Sequence, residues 1–422
     1  MILTDWLRRL ERLHYKAIDM GLERVSRVAQ QSDLLADLPY IITIGGTNGK
    51  GSTVAFLESI LRTAGYKVGT YTSPHLIDFN ERVRIDGANV DDQSLVSAFE
   101  LIEKARGDVS LTYFEFTTLA AMHIFKQCKL DVILLEVGLG GRLDAVNIWD
   151  ADIAAVTSID LDHQQFLGDT REKVGLEKIG IGRAGKPLVV GEPQIPELVL
   201  SAVNSLGLQL FRLNEQFQAE SSTVQNLWCF RGIDPNNNAI CLEHLPATAL
   251  YHRNAAVALQ ILVLSPFMPD ITHIRRGLAQ AGLTGRQQIV QDAPMVMLDV
   301  GHNPHAAAHL AQRLRSLHPQ SIHCIIGMLK DKSVANTLAE LLDVIDCWHP
   351  VTLGGERGQE GTVIADELVQ AGARVDKTWS SPHQAYSRLV NTVSSDELIL
   401  VFGSFYTVAD VIQYRQSVSR EG

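Results

Sequence analysis

Along this chain, short apolar runs of strand length alternate with longer stretches in which apolar residues return every three or four positions. Residues 40–44, 67–72, 130–137, 152–159, 322–328 and 398–402, with the run that begins at Met295, read as strands. The segment 130–137 is apolar almost throughout, as a strand covered on both faces of a parallel sheet must be. Residues 5–13 put Trp6, Leu7, Leu10 and Leu13 on one helical face, and 54–61, 112–125, 306–317 and the stretch opening at His252 also repeat with helical period. Two strands around the Pro-Asn-Asn-Asn turn at 235–238 predict a small antiparallel appendage over 224–243. Alternating strands and helices predict an α/β protein. The expected architecture is a P-loop-type doubly wound N-terminal domain over 1–285 and a smaller Rossmann-like α/β domain over 290–422, joined at 284–290.

The first strand runs into Gly45-Gly-Thr-Asn-Gly-Lys-Gly-Ser52, and a helix follows. Strand, glycine loop and helix form a phosphate cradle: the glycines let backbone approach the anion, the first helical amides point at it, and Lys50 adds a compact positive charge. The expected ligand is a nucleoside triphosphate with magnesium, and a plain glycine turn is the alternative. The loop departs from the strict Walker pattern, with Ile44 in place of its first glycine and Gly51 where a hydroxyl residue should follow the lysine.

The chain has 422 residues and a net charge of −11, enough length for two domains and the wrong sign for a broad grip on nucleic acid. Its 5 cysteines are scattered without C-x-x-C spacing, which fits a reducing compartment and predicts no structural zinc. The N-terminus intersperses charges among its apolar residues, unlike a signal peptide, and no later run is long enough to span a bilayer. A cytoplasmic enzyme without a membrane or nucleic-acid partner is expected.

Several other residues bear chemistry. Glu136 ends a buried strand, so it needs a cation, either magnesium or Arg142. Ser73, at the start of Ser-Pro-His-Leu, is a metal ligand or the beginning of a turn. His163 follows Asp162, which by itself would explain it as a local hydrogen bond. Asp19, Glu115, Asn254 and Asn303 each have a plain reading as a helix-end residue.

Gly46-Thr-Asn-Gly-Lys-Gly-Ser52, Ser73-Pro-His-Leu76 with Glu81-Arg82, Glu136-Val-Gly-Leu-Gly-Gly-Arg-Leu-Asp-Ala145, Leu161-Asp-His163 and Asp299-Val-Gly-His-Asn-Pro304 together resemble the folate branch of the Mur ligase superfamily, the dihydrofolate and folylpolyglutamate synthases. The resemblance implies an ATP-dependent ligase of folate metabolism: ATP phosphorylates a pteroate or folate carboxylate, and the amine of L-glutamate attacks the acyl phosphate. Its substrates would be dihydropteroate, tetrahydrofolates and L-glutamate, and the family is commonly monomeric. A folylpolyglutamate synthase without the first activity, another Mur-type ligase, and a nucleotide-binding regulator that has lost ligation are the alternatives.

Residue by residue, the resemblance implies that Thr47, Asn48, Gly49, Lys50, Gly51 and Ser52 hold the phosphates, Asn254 the adenine, Arg286 the triphosphate and Asp299 the ribose, with His302 beside the nucleotide. Ser73, Glu136 and His163 would hold magnesium at two sites. Asp19, Met20, Gly21, Leu22, Thr112, Tyr113, Phe114, Glu115, Leu143, Asp144 and Ala145 would line the pterin site. Lys50, His163 and Lys178 would be catalytic, with Lys178 carbamylated. Around Lys178 the match loosens, because Leu176, Ile179 and Gly182 replace the family's Arg, Ala and aromatic; Thr284 and Gly301 likewise replace Pro and Ala.

Overall fold

The computed structural model describes residues 1–221, 227–248 and 250–421. The chain divides into two compact units, Met1–Ala281 and Gly282–Gly422. The described strands of the first unit are β1 (Tyr40–Gly45), β2 (Val68–Tyr71), β3 (Val83–Ile85), β4 (Ala88–Asn89), β5 (Val132–Glu136), β6 (Ile153–Val156), β7 (Pro187–Val190), β8 (Gln209–Arg212), β9 (Gln218–Ser221), β10 (Leu227–Ile233) and β11 (Ala239–Pro246).

The main sheet has the order β4-β3-β2-β5-β1-β6-β7-β8. All neighbours from β2 to β8 are parallel, and β3 and β4 form an antiparallel margin. Central strands β5 and β6 are wholly buried, which is why they read as continuous apolar runs. Helices Tyr113–Gln127 and Asp92–Arg106 cover one region of the sheet with Leu95, Phe99, Phe116, Leu119 and Phe125, joined there by Trp6 and Leu10 of the N-terminal helix.

Register decides where chemistry can collect. Ile44 pairs with Glu136, Gly45 with Val156, and Tyr71 with Leu135, so β1, β2, β5 and β6 end at one level. The loops that leave these four ends therefore meet at the carboxyl edge, where doubly wound sheets build ligand sites.

The expected appendage is a three-stranded antiparallel sheet, β11-β10-β9; residues 224–226 of the expected hairpin lie outside the described residues. The second unit is a separate sheet of β12 (Gln288–Asp292), β13 (Met295–Asp299), β14 (Ile322–Ile326), β15 (Cys347–Pro350) and β16 (Leu398–Phe402), in the order β12-β13-β16-β14-β15. Only β12 runs antiparallel to its neighbour. One face packs Met297, Ile322, Cys324, Ile326, Trp348 and Leu400 against Leu310, Leu314, Ile364 and Leu368 of the covering helices.

Candidate active site

Strand β1 ends at Gly45, Gly46 turns the chain, and the helix Lys50–Thr63 begins directly after Gly49. Gly46 has φ +141° and Gly49 φ +89°, conformations that disfavour a side chain. A Cβ on Gly46 would lie 1.9 Å from Thr157 Oγ1, and one on Gly49 2.5 Å from Asn254 Oδ1. The loop is held from the neighbouring strand end: Thr47 N donates to Ser158 O at 3.0 Å, Asn48 N to Ser158 Oγ at 2.9 Å, and Thr157 Oγ1 to Asn48 O at 2.6 Å. Thr47 Oγ1 donates to Asp160 O at 2.9 Å. Lys50 Nζ folds back onto Gly46 O at 2.9 Å and Thr47 O at 3.3 Å, the carbonyls that a phosphate oxygen would displace it from. Gly51 and the buried Ser52 occupy the first turn of the helix.

Expected strand 152–159 ends at Val156, since Thr157 and Ser158 turn onto the phosphate loop. Asn254 does not cap its helix, His252–Leu264, whose N-cap is Tyr251; its side chain lies against Gly49 instead.

Glu136 is 5% exposed, and its Oε2 accepts the Ser73 backbone N–H at 3.1 Å across the β2–β5 boundary. Arg142, the alternative cation for Glu136, ion-pairs with Glu177 at 2.7 Å. On the other side of β1, His163 has φ +48°; its backbone N donates to Asp162 Oδ1 at 2.9 Å and its Nε2 stands 3.8 Å from Asp162 Oδ2, so the local pairing with Asp162 is present. Lys178 is 3% exposed near the end of the helix Arg171–Ile179. Burial pulls its amine from 10.5 to about 7, the neighbouring Lys50 pulls in the same direction, and Asp162 opposes both. Asp144 is buried and pushed up to about 6 by desolvation, against the amides of Leu139, Val146 and Gly138 and the charge of Lys50. Lys50, Asp144, Asp162 and Lys178 therefore share one electrostatic neighbourhood although they are spread over more than 120 positions of sequence.

A second cluster joins residues 14–24 to the start of the helix Tyr113–Gln127. Asp19 accepts from Arg24 Nη1 at 2.7 Å and contacts His14 Nε2 at 3.2 Å, and Arg24 Nη2 reaches Glu115 Oε1 at 3.1 Å. Glu115 and Thr112 form a reciprocal capping box, so the helix-end reading holds, and Arg24 adds an ion pair to it. Asp19 precedes the helix Glu23–Gln31 and caps nothing there. Met20 lies with Leu167 against Gly140, and Phe114 lies against Gly138. Gly21 and Leu22 continue the segment, half-buried. Asp144 Oδ2 accepts from Leu139 N at 2.8 Å and Oδ1 from Val146 N at 3.1 Å; Leu143 is half-buried and Ala145 buried. Tyr113 and Phe79 lie beneath the Arg82 guanidinium, whose Nε donates to His75 Nδ1 at 2.8 Å. Burial and Arg82 hold His75 down at about 4, so it accepts as neutral imidazole. Arg24, His14, Thr157 and Ser158 had no motif to announce them.

In the second unit Asp299 ends β13, 6% exposed, with Oδ1 accepting from Gly301 N at 2.6 Å and Oδ2 from Gln287 N at 3.1 Å. Burial pushes its carboxyl up and Arg286 opposes the shift. The Arg286 guanidinium stands over Phe405 at 5.5 Å. His302 Nδ1 contacts Val300 O at 3.0 Å, and Asn303 caps the helix Pro304–Leu317 through Ala306 N at 2.9 Å.

Residues 285–405 match the family model "Mur ligase, glutamate ligase domain". The chain is 45% identical to the dihydrofolate synthase/folylpolyglutamate synthase of Escherichia coli (strain K12) over 412 residues, 97% of this chain and 95% of that protein. Its structure superposes on that of E. coli FolC in complex with DHPP and ADP with a TM-score of 0.94 and 44% identity, covering 99% of each chain. A bifunctional folylpolyglutamate synthase/dihydrofolate synthase with Mn, AMPPNP and L-glutamate bound is similar too, at TM-score 0.90 and 43% identity, over 99% of this chain and 98% of that one.

Proposed function

The chain belongs to the dihydrofolate synthase/folylpolyglutamate synthase family, and from that premise we propose which of its residues carry the family's reaction. It is an ATP-dependent ligase that adds L-glutamate to dihydropteroate and to tetrahydrofolates through an acyl phosphate. The observation that carries the residue assignment is the convergence of Lys50, Glu136 with Ser73, Asp162 with His163, and Lys178 at one carboxyl edge of the sheet.

Thr47, Asn48, Gly49, Gly51 and Ser52 bind the phosphates through the loop and the helix start, and Lys50 exchanges its loop carbonyls for phosphoryl oxygens as charge develops there. Asn254, packed on Gly49, is assigned to the base side of the loop. In the second unit Arg286 is assigned to phosphate charge, Asp299 to ribose hydroxyls through its remaining lone pairs, and His302 to the nucleotide.

The donor set fits a hard divalent cation: a buried carboxylate in contact with Ser73 at adjoining strand ends, with the His163 imidazole on the loop after β6. Magnesium bound by Ser73, Glu136 and His163 would neutralise charge on the transferred phosphoryl group. Lys178, brought near 7, presents a free-base fraction that adds carbon dioxide to give a carbamate and a proton, which supports carbamylation. Asp19 to Leu22, Thr112 to Glu115 and Leu143 to Ala145 are assigned to the pterin, with Arg24 holding Asp19 and Glu115 in place.

Because the residues named lie on one chain, a monomer is the proposed functional unit. The free cysteines support a cytoplasmic setting; among the described residues no helix is long and apolar enough to cross a membrane. The test is magnesium-dependent incorporation of labelled glutamate, with ATP, into dihydropteroate and tetrahydrofolate in parallel. Lys50→Ala, Glu136→Ala and Lys178→Ala should each abolish or cripple both reactions; full activity in any of them refutes that residue's assignment.

A further inference from the structure

We propose that the second unit carries a metal site of its own, a zinc-class cation bound by His323, Cys347 and His349. The parallel register pairs His323 of β14 with Cys347 of β15 and Ile325 with His349. Paired and alternate residues share a sheet face, so the three side chains stand together on the face opposite Cys324 and Trp348. One donor atom from each lies within 4.8 Å of the others, and His323 Nδ1 is 3.2 Å from His349 Nε2. With zinc–nitrogen bonds of about 2.0–2.1 Å and a zinc–sulfur bond of about 2.3 Å, tetrahedral donors stand roughly 3.3–3.6 Å apart. The two imidazoles are already near that spacing, and the sulfur reaches it by a shift on the order of 1 Å.

The tautomers favour a cation between the rings over a proton. His323 Nε2 faces Glu397 Oε1 at 3.6 Å, and His349 Nδ1 faces Asp376 Oδ2 at 3.6 Å. Ligating histidines commonly direct their second N–H at a carboxylate, and here both rings have one. If a proton instead bridges the rings, one neutral imidazole must turn an unprotonated nitrogen toward its carboxylate. A metal removes the conflict: both inner nitrogens give lone pairs to it, and both outer nitrogens carry hydrogen toward Glu397 and Asp376. His349 Nδ1, on a residue 2% exposed, has no hydrogen-bond partner among the described residues.

Cys347 is 5% exposed, and on binding its thiol loses a proton and its sulfur bonds the metal. Nitrogen and sulfur donors select zinc over magnesium, unlike the oxygen donors assigned at the first unit's sheet edge. Three protein ligands leave a fourth position for water. The ion would tie edge strand β15 to β14 and to the segment carrying Asp376.

The full-length protein, stripped with chelator and dialysed, is titrated with cobalt(II) alone and then zinc(II) alone. The expected result is a thiolate-to-cobalt charge-transfer band that saturates at one equivalent and is bleached by zinc. Cys347→Ser abolishes the band, His323→Gln weakens cobalt binding roughly tenfold or more, and Cys241→Ser, on the exposed β11, changes neither. Cobalt bound without a thiolate band, or a band that survives in Cys347→Ser, overturns the site. Should Cys347→Ser fail to fold, the half-exposed His323→Gln decides the question, and unchanged cobalt affinity in it overturns the site equally.

Discussion

Replacing Lys178 by methionine should make the protein more stable and inactive together. Folding moves this amine from 10.5 to about 7, a difference of about 3.5 pH units, which corresponds to roughly 5 kcal/mol against the charged form at 1.36 kcal/mol per unit. At pH 7 the folded lysine is half protonated, so the penalty carried by the fold is on the order of 4 kcal/mol. The sign follows from proton counts. Between about 7 and 10.5 the unfolded chain binds more protons than the folded one, so stability of the unmodified enzyme rises with pH across that window. Below it the penalty is complete, and above it the penalty is gone.

Lys178→Met removes the charge while keeping an apolar stem in a buried position. In carbon dioxide-free buffer with chelator, its melting temperature at pH 7 should exceed that of the parent by on the order of 8 °C for a unit of this size. The difference should close as pH approaches 10. Bicarbonate at neutral pH should raise the parent and leave the variant unmoved, because a carbamate replaces the buried cation and sets a negative group near Lys50. Glutamate ligation should be lost throughout. A stability difference that stays flat from pH 7 to 10, or a variant that melts below the parent at pH 7, would refute the reasoning from burial.

Three further outcomes follow from the same geometry. Lys50→Ala should eliminate turnover and leave the far-UV circular dichroism of the fold unchanged, since the amine's bonds to Gly46 O and Thr47 O lie within its own loop; near-normal ligation would contradict its role. Glu136→Ala should raise the magnesium needed for half-maximal rate at least about tenfold, whereas an unchanged magnesium titration would assign Glu136 to structure alone. Gly49→Ala forces a side chain into φ +89° against Asn254, a strain of about 1–2 kcal/mol, so the KM for ATP should rise about tenfold, and an unchanged KM would show that the loop tolerates a Cβ.

Where periodicity and burial act over a few adjacent residues, the sequence was readable. Strand 398–402 is found as read, and 40–44 extends only to Gly45, because buried parallel strands leave a short apolar run with no polar face. The helix after the phosphate loop reads as periodic from Val54 yet starts at Lys50, since its first turn presents amides and small residues and has no apolar face to show. Asn254 looked like a helix cap and lies on Gly49, a contact made across 205 positions of chain.

Strand order and register decided the rest. Local sequence determined the parallel-sheet strands, the glycine loop with Lys50, and an acidic residue at the end of β5, each set by the side chains of one short segment. Only packing decided that Arg142 would pair with Glu177, that Arg24 would bridge Asp19 and Glu115, and that Lys178 would be buried next to Lys50 and Asp162. The cysteines illustrate the limit: their spacing predicts no zinc, and ligand spacing is visible only when donors share one segment. His323 and Cys347 are brought side by side by a hydrogen-bonded register between strands that 20 residues separate, and the alternation along β15 then adds His349 to the same face.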